Sequence, residues 1–240
     1  MTDARADELS AHLAHVRARV EAACAAAGRE PETVTLIVVS KTWPADDVRR
    51  LAALGVRDFG ENRDQEAAPK AAATSDLDLR WHFVGQLQTN KAASVARYAD
   101  LVHSVDRESL VTALERGATK ASRRIGCLIE VDLTDGVTGR GGASPADVPE
   151  LARLIAGAGH LELRGVMGVA PLAGESQDQR EVSMRAFQRL ADVSGRLREE
   201  HPDADLVSAG MSEDLEEAVR AGATHLRVGS AVLGTRPPLG

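Results

Sequence analysis

The chain has almost no aromatic side chains. Three Phe, two Trp and one Tyr make up 2% of its 240 residues, too few for an aromatic-rich core or a base-stacking surface. The core must come from Val, Leu, Ile and Ala, a composition that suits parallel strands buried on both faces. Cysteine is scarce as well. Cys24 lies in an alanine-rich helical stretch and Cys127 opens an apolar run. Neither belongs to a C-x-x-C pair, so no disulfide framework is indicated. His12 and His15 share a helix but have no further ligands nearby, so no metal site is expected. Positive charge is in deficit, 29 Lys and Arg against 36 Asp and Glu, a net charge of -7. With no basic stripe, nucleic acid is not an expected partner. No apolar run is long enough to span a membrane, and the polar, acidic N-terminus lacks the pattern of a signal peptide. A cytoplasmic protein, monomeric and without a membrane partner, is expected. No Pro- or Ser-rich linker divides the chain, which predicts one domain over residues 1–240.

What is present is a regular alternation. A helical pattern over 3–27 ends at Gly28. Short apolar runs then follow at 35–40, 56–60, 80–85, 101–105, 127–133, 163–169, 205–209 and 225–229. Between them lie segments with helical periodicity at 44–54, 63–73, 90–98, 107–122, 145–158, 177–200 and 213–221. Alternating strands and helices imply a parallel sheet. An open doubly wound sheet competes with a closed barrel. The count of eight, with glycines just after the last strands, selects an α/β fold of the (β/α)8 TIM-barrel type with an extra N-terminal helix on its outside or bottom.

In such a barrel the strand carboxyl ends share one mouth, where ligands bind. Lys41 ends the first apolar run and is followed at once by a turn and a helix start. A lysine in water is protonated at pH 7, but desolvation among apolar groups frees the amine for Schiff-base chemistry. Taken alone, its position better fits a strand-end lysine extending into solvent, and the rest of the chain reverses that preference. The seventh strand leads into Ser208-Ala209-Gly210-Met211-Ser212-Glu213-Asp214 and the eighth into Gly229-Ser230-Ala231. Each has the small residues and hydroxyls of an anion site, in the positions where barrels often bind phosphate. Ser212 also reads as a helix N-cap and Gly229 as a simple turn. Arg227 lies two residues before Gly229 and so shares its face. An inward guanidinium needs a partner, either a ligand or an acid such as Glu130 or Asp132. His82 suits the pocket wall or a core hydrogen bond, and taken alone it fits the core role better; Asn62 has the same ambiguity. The Gly-rich stretch 135–142 lacks P-loop spacing and reads as a loop near the phosphate.

An amine, a phosphate cradle and an inward arginine together point to pyridoxal 5′-phosphate (PLP). The sequence resembles the pyridoxal phosphate homeostasis proteins (the YggS/PROSC-type PLP-binding family), whose fold is like the barrel domain of alanine racemase. The resemblance rests on Val39-Ser40-Lys41-Thr42, Phe59-Gly60-Glu61-Asn62, Gln65-Glu66, Trp81-His82-Phe83-Val84-Gly85, Leu87-Gln88-Thr89-Asn90-Lys91, Gly165-Val166-Met167, 208–214 and 227–231. It implies that Lys41 holds PLP as a Schiff base. It implies that Ser208, Gly229 and Ser230 bind the phosphate, that Arg227 faces the ring nitrogen, and that Asn62, His82 and Met211 line the pocket. Two positions depart from the family. Trp43 stands where many members have a second lysine, and Arg140 where many have a lysine after the fifth strand.

The resemblance implies a PLP carrier or buffer in intracellular PLP homeostasis, with apo-PLP enzymes as recipients, rather than a catalyst. The alternative is a weakly active PLP-dependent amino-acid racemase. In the racemase relatives, the second base is a tyrosine from a separate domain of the partner subunit. That domain is expected to be absent here, and the one tyrosine, Tyr98, is expected away from the mouth. A PLP-free Schiff-base aldolase acting on a phosphorylated sugar would use the same lysine and cradle.

Overall fold

Strands flanked by helices bury both faces of every strand when the sheet closes on itself. A computed structural model describes residues 3–134, 141–174 and 177–234. Its strands are β1 Thr35–Val39, β2 Asp58–Glu61, β3 Arg80–Phe83, β4 Leu101–Val105, β5 Ile125–Glu130, β6 Leu161–Met167, β7 Leu206–Ser208 and β8 His225–Val228. Each pairs in parallel with the next, and β8 pairs with β1 to close the barrel, with Val38 opposite Val228. The helices are α1 Ala4–Ala26, α2 Ala45–Ala53, α3 Asp64–Ala73, α4 Ala92–Val95, α5 Glu108–Ala121, α6 Val148–Ala156, α7 Gln179–Glu200, α8 Leu215–Arg220 and α9 Ser230–Leu233.

All eight predicted strands are found. The main correction concerns 90–98, which is not one helix. A 3-10 turn at Thr89–Lys91 leads into the single turn of α4, after which Arg97 and Tyr98 donate to carbonyls only three residues back, those of Ser94 and Val95. The coil tightens there instead of propagating. β5 starts at Ile125 and ends at Glu130, so Asp132 lies beyond the strand. Residues 135–140, with Arg140, and 235–240 lie outside the described residues.

In β6, Gly165 has φ +143, and a Cβ there would sit 1.9 Å from Leu206 O. Only glycine fits, and the register with β5 slips at this point, from Cys127–Leu163 to Leu128–Gly165. Helix α1 lies on the outside of the barrel, as expected. Its buried stripe, Leu9, Leu13, Val16, Val20 and Cys24, follows helical spacing and packs on α8, α9 and α2. The apolar core fills the layer between strands and helices and includes Val38, Phe59, Val102, Ile129 and Val166. The space inside the barrel is different in character. Asp58, His82, His103, Ser208 and Arg227 meet there, all buried. Among the described residues no helix is long and apolar enough to cross a membrane.

Candidate functional site

The turn after β1 is held from outside the barrel. Glu61, fully buried at the end of β2, accepts from Ser40 Oγ at 2.7 Å and is ion-paired with Lys70 of α3. Lys70 Nζ also donates to Ser40 O at 2.8 Å. One turn earlier on α3, Glu66 accepts from the Thr42 backbone N–H at 2.8 Å. Thr42 has φ +70, the left-handed region that a β-branched residue rarely enters. Lys41 therefore sits between two fixed neighbours. Its own side chain is exposed, so the desolvation expected from its strand-end position is not supplied by the protein. Trp43 points elsewhere, packing against the core with the Arg5 guanidinium 4.4 Å from its ring centroid.

Opposite Lys41, two turns meet. Ser230 Oγ donates to Ser212 Oγ at 3.1 Å, and the Ala231 N–H donates to the same oxygen at 3.3 Å. Ser212 is thus not the cap of α8. The residue at that cap is Asp214, whose carboxylate accepts from the Met211 N–H at 2.7 Å and closes the loop between them. Gly229 lies against β1, where a Cβ would be 3.2 Å from Val39 O. This brings the β8–α9 turn close to the Lys41 strand. Helix α1 braces both turns, with Arg19 donating to Ser212 O at 3.0 Å and Arg5 to Leu233 O at 3.0 Å.

Lys41, Asn62, Arg227, Met211, Gly229 and Ser230 all line one cavity of about 570 Å³, together with Ser212. That volume suits a small organic ligand. Asn62 Oδ1 is shielded from solvent and has no hydrogen-bond partner in the protein. A buried acceptor left unpaired is costly, and a ligand donor in the cavity would satisfy it. Burial pushes the Arg227 guanidinium down to about 10, which leaves it a cation at neutral pH.

Two sequence-predicted contacts lie below this cavity. Ser208 is fully buried and its hydroxyl is engaged by Arg227 Nη1 at 2.6 Å and His103 Nδ1 at 2.9 Å. His82 is 1% exposed and lies between His103, at 2.9 Å, and Asp58, at 2.9 Å. Neither lines the cavity, so the serine facing the ligand space after β7 is Ser212, four residues further on. Arg227 finds its inward partners in Ser208 Oγ and Gly168 O, the latter at 2.9 Å, rather than in a salt bridge to Glu130 or Asp132. Glu130 has one carboxylate oxygen buried and unpartnered, and burial, reinforced by Asp106, pushes its carboxyl up to about 7. Sequence reasoning missed the roles of His103 and of the Glu61–Lys70 clamp. The only visible trace of the clamp was the i, i+4 spacing of Glu66 and Lys70 on α3.

An eight-stranded parallel barrel with an accessible amine facing a hydroxyl-lined cradle across its mouth defines a class, the lysine-bearing barrels of the alanine racemase type. Residues 11–237 match the family model described as alanine racemase, N-terminal domain. The chain is 39% identical to the pyridoxal phosphate homeostasis protein of Pseudomonas aeruginosa, over 95% of this chain and 96% of that protein. PipY of Synechococcus elongatus, solved with PLP bound, superposes with a TM-score of 0.79 at 33% identity, covering 94% of this chain and all of that one. Alanine racemase from Streptomyces lavendulae shares the fold alone, with a TM-score of 0.72 at 20% identity, and this chain spans 58% of its length. The chain belongs to the pyridoxal phosphate homeostasis protein family.

Proposed function

We propose that this protein, acting as one barrel domain over residues 1–240, binds PLP and holds it in reserve rather than turning over a substrate. One observation carries this reading: the Lys41 amine and the Ser212–Ser230 cradle face a single cavity. The residues present fit the cofactor. The amine suits its carbonyl, the two hydroxyls with the Gly229 turn suit its phosphate, and the unpartnered Asn62 Oδ1 awaits a donor from the ligand. When bound, PLP supplies an aldehyde that condenses reversibly with a primary amine. Lys41 contributes that amine from the fixed turn between Ser40 and Thr42. Ser212, Ser230 and the backbone at Gly229 retain the anionic end. Asn62 and Met211 flank the cavity. Arg227 is a donor with no acceptor capacity, so a ring nitrogen beside it stays unprotonated and electron withdrawal stays weak. His82 and Ser208 contribute indirectly, through Arg227.

The reserve role draws support from the names of the relatives and from PipY, which was solved with PLP bound. Two-base racemisation requires a second proton-transferring group at the reacting carbon. Tyr98 lines a separate cavity between α3 and α4, and burial holds its phenol well above the usual range. We place the protein in the cytoplasm, with apo-PLP enzymes as its recipients.

The test is to incubate the full chain with PLP, reduce with borohydride and map the modified peptide by mass spectrometry. The expected label is on Lys41, accompanied by a visible absorption band before reduction and no interconversion of D- and L-alanine. A label confined to other lysines, or none, would overturn the binding reading. Efficient racemisation would overturn the reserve role.

A further inference from the structure

The polar groups inside the barrel form one unbroken series. Asp58 Oδ1 meets His82 Nε2, His82 Nδ1 meets His103 Nε2, and His103 Nδ1 meets Ser208 Oγ, each at 2.9 Å. Arg227 Nη1 then meets Ser208 Oγ at 2.6 Å. The residues come from β2, β3, β4, β7 and β8, and the His103–Ser208 step crosses the barrel. One end is Asp58, which Arg80 also contacts through Oδ2 at 2.7 Å, and the other end lines the cavity.

The chemistry of the two ends constrains the bonds between them. An ionised carboxylate only accepts, and a guanidinium only donates. Burial alone would raise the carboxyl of Asp58, but the His82 and Arg80 hydrogen bonds outweigh it and hold it low, so it is ionised. His82 must therefore donate from Nε2. If that is the one proton on the His82 ring, Nδ1 accepts, which requires His103 to donate from Nε2. A neutral His103 accepts at Nδ1 from the Ser208 hydroxyl, whose oxygen receives Arg227. Burial, the largest cause, with the Arg227 charge nearby, keeps His103 neutral. His225, whose ring lies 6.2 Å from that of His82, is likewise held neutral, pushed down to about 4 mainly by burial.

We propose that Asp58, His82, His103 and Ser208 form one directional hydrogen-bond chain that positions Arg227 at the cavity. Asp58, four links away, thereby governs how Arg227 meets the ring of a bound cofactor. The chain itself stands on the geometry above; only its effect on a cofactor rests on the PLP reading. Asp58 is a positioning residue, because it touches no ligand. Its carboxylate is the anchor that forbids the reverse direction. Without it, His82 can carry its proton on Nδ1, His103 follows by carrying its own on Nδ1, and the Ser208 hydroxyl no longer donates to His103.

Two measurements test this on the full chain. Long-range proton–nitrogen NMR on the cofactor-free protein reads the histidine tautomers. Both His82 and His103 are expected as neutral Nε2–H forms. In Asp58→Ala the His103 proton is expected to move to Nδ1 in at least half the molecules, and Asp58→Asn, which keeps an acceptor oxygen, is expected to hold it on Nε2. A merely structural role for Asp58 would not change a tautomer two rings away. An Nδ1–H or doubly protonated His103 in the parent protein, or an unmoved tautomer in Asp58→Ala, overturns the chain.

The second measurement is PLP titration followed by the absorption of the bound cofactor. Asp58→Ala and Ser208→Ala are each expected to weaken binding about fivefold to tenfold and to shift the band, while Asp58→Asn stays within about twofold. Should Asp58→Ala fail to fold, Ser208→Ala carries this arm alone. Unchanged affinity and spectrum in every folded variant overturn the link to Arg227. If the parent protein takes up no PLP, it is the PLP reading that fails, and the NMR arm still decides the chain.

Discussion

The mouth of the barrel and the layer beneath it treat polar groups in opposite ways. Beneath, Asp58, His82, His103, Ser208 and Arg227 are bonded to one another, and on the outer side Lys70 and Ser40 both engage Glu61 Oε1, leaving Oε2 as the one unpartnered atom of that group. At the mouth, Lys41 is exposed, Asn62 Oδ1 lacks a partner and Glu130 keeps one buried oxygen unpaired. A fold optimised for stability alone would pair those groups or remove them. Their persistence at one edge, over an unbroken run of bonds from Asp58 to Arg227, is the pattern expected when binding rather than folding selects the residues.

The sharpest way to break this contrast is Lys41→Ala. Removing the amine is expected to abolish borohydride-fixed labelling of the peptide completely, while thermal unfolding of the cofactor-free protein stays within a few tenths of a kcal/mol of the parent, as for an exposed side chain. A large drop in stability would mean that Lys41 belongs to the structural layer after all. Lys70→Met should behave in the reverse way. It leaves Glu61 fully buried without its cation, which costs on the order of 3–5 kcal/mol for a broken buried pair. Urea denaturation reads that loss, and adding Glu61→Gln to the same chain is expected to recover a large part of it. If Lys70→Met unfolds no more easily than the parent, the clamp under Lys41 is not structural.

A smaller effect is expected at the cradle. Ser212→Ala and Ser230→Ala each remove one hydroxyl from the pair at 3.1 Å. About tenfold weaker PLP binding is expected for each, near 1.4 kcal/mol, with Lys41 still labelled at saturating PLP. Loss from Ser208→Ala accompanied by none from Ser212→Ala would restore the sequence-based choice of serine.

That choice shows what a sequence can reveal here. The barrel was legible because each strand is a short run of β-branched and aliphatic residues with turn residues at both ends, and Lys41 was legible because it ends the first of them. The two anion turns were legible as turns. Which serine serves the cavity was not, because 208–212 contains two, and only the position where β7 ends tells which one rises above the barrel floor. The partners of His82 were hidden for a related reason. Asp58 and His103 are 24 and 21 residues away, and Ser208 lies 105 residues beyond His103. No spacing rule reaches across a barrel. The shortness of α4 was not foreseen because 92–96 is rich in alanine, and what ends the helix is the tightening to 3-10 bonds.

Glu130 sharpens the comparison most finely, because it sits at the mouth yet titrates like a buried group. Burial holds its carboxyl up at about 7, above the ordinary value of 4.5. A group raised on folding adds stability in its protonated form. That contribution is complete below about pH 4.5 and is lost as pH rises through about 7. Glu130→Gln cannot ionise, so it keeps the neutral form at every pH. Relative to the parent, this variant is therefore expected to gain stability as pH rises from about 4.5 to about 8, by roughly 1 kcal/mol after allowance for partial exposure. Urea midpoints of the cofactor-free proteins at the two pH values measure the gain. Should the difference between variant and parent stay flat, or shrink with rising pH, the Glu130 carboxyl is already satisfied at neutral pH. It would then belong with the paired layer beneath the mouth, and the mouth would hold one unpaired group fewer.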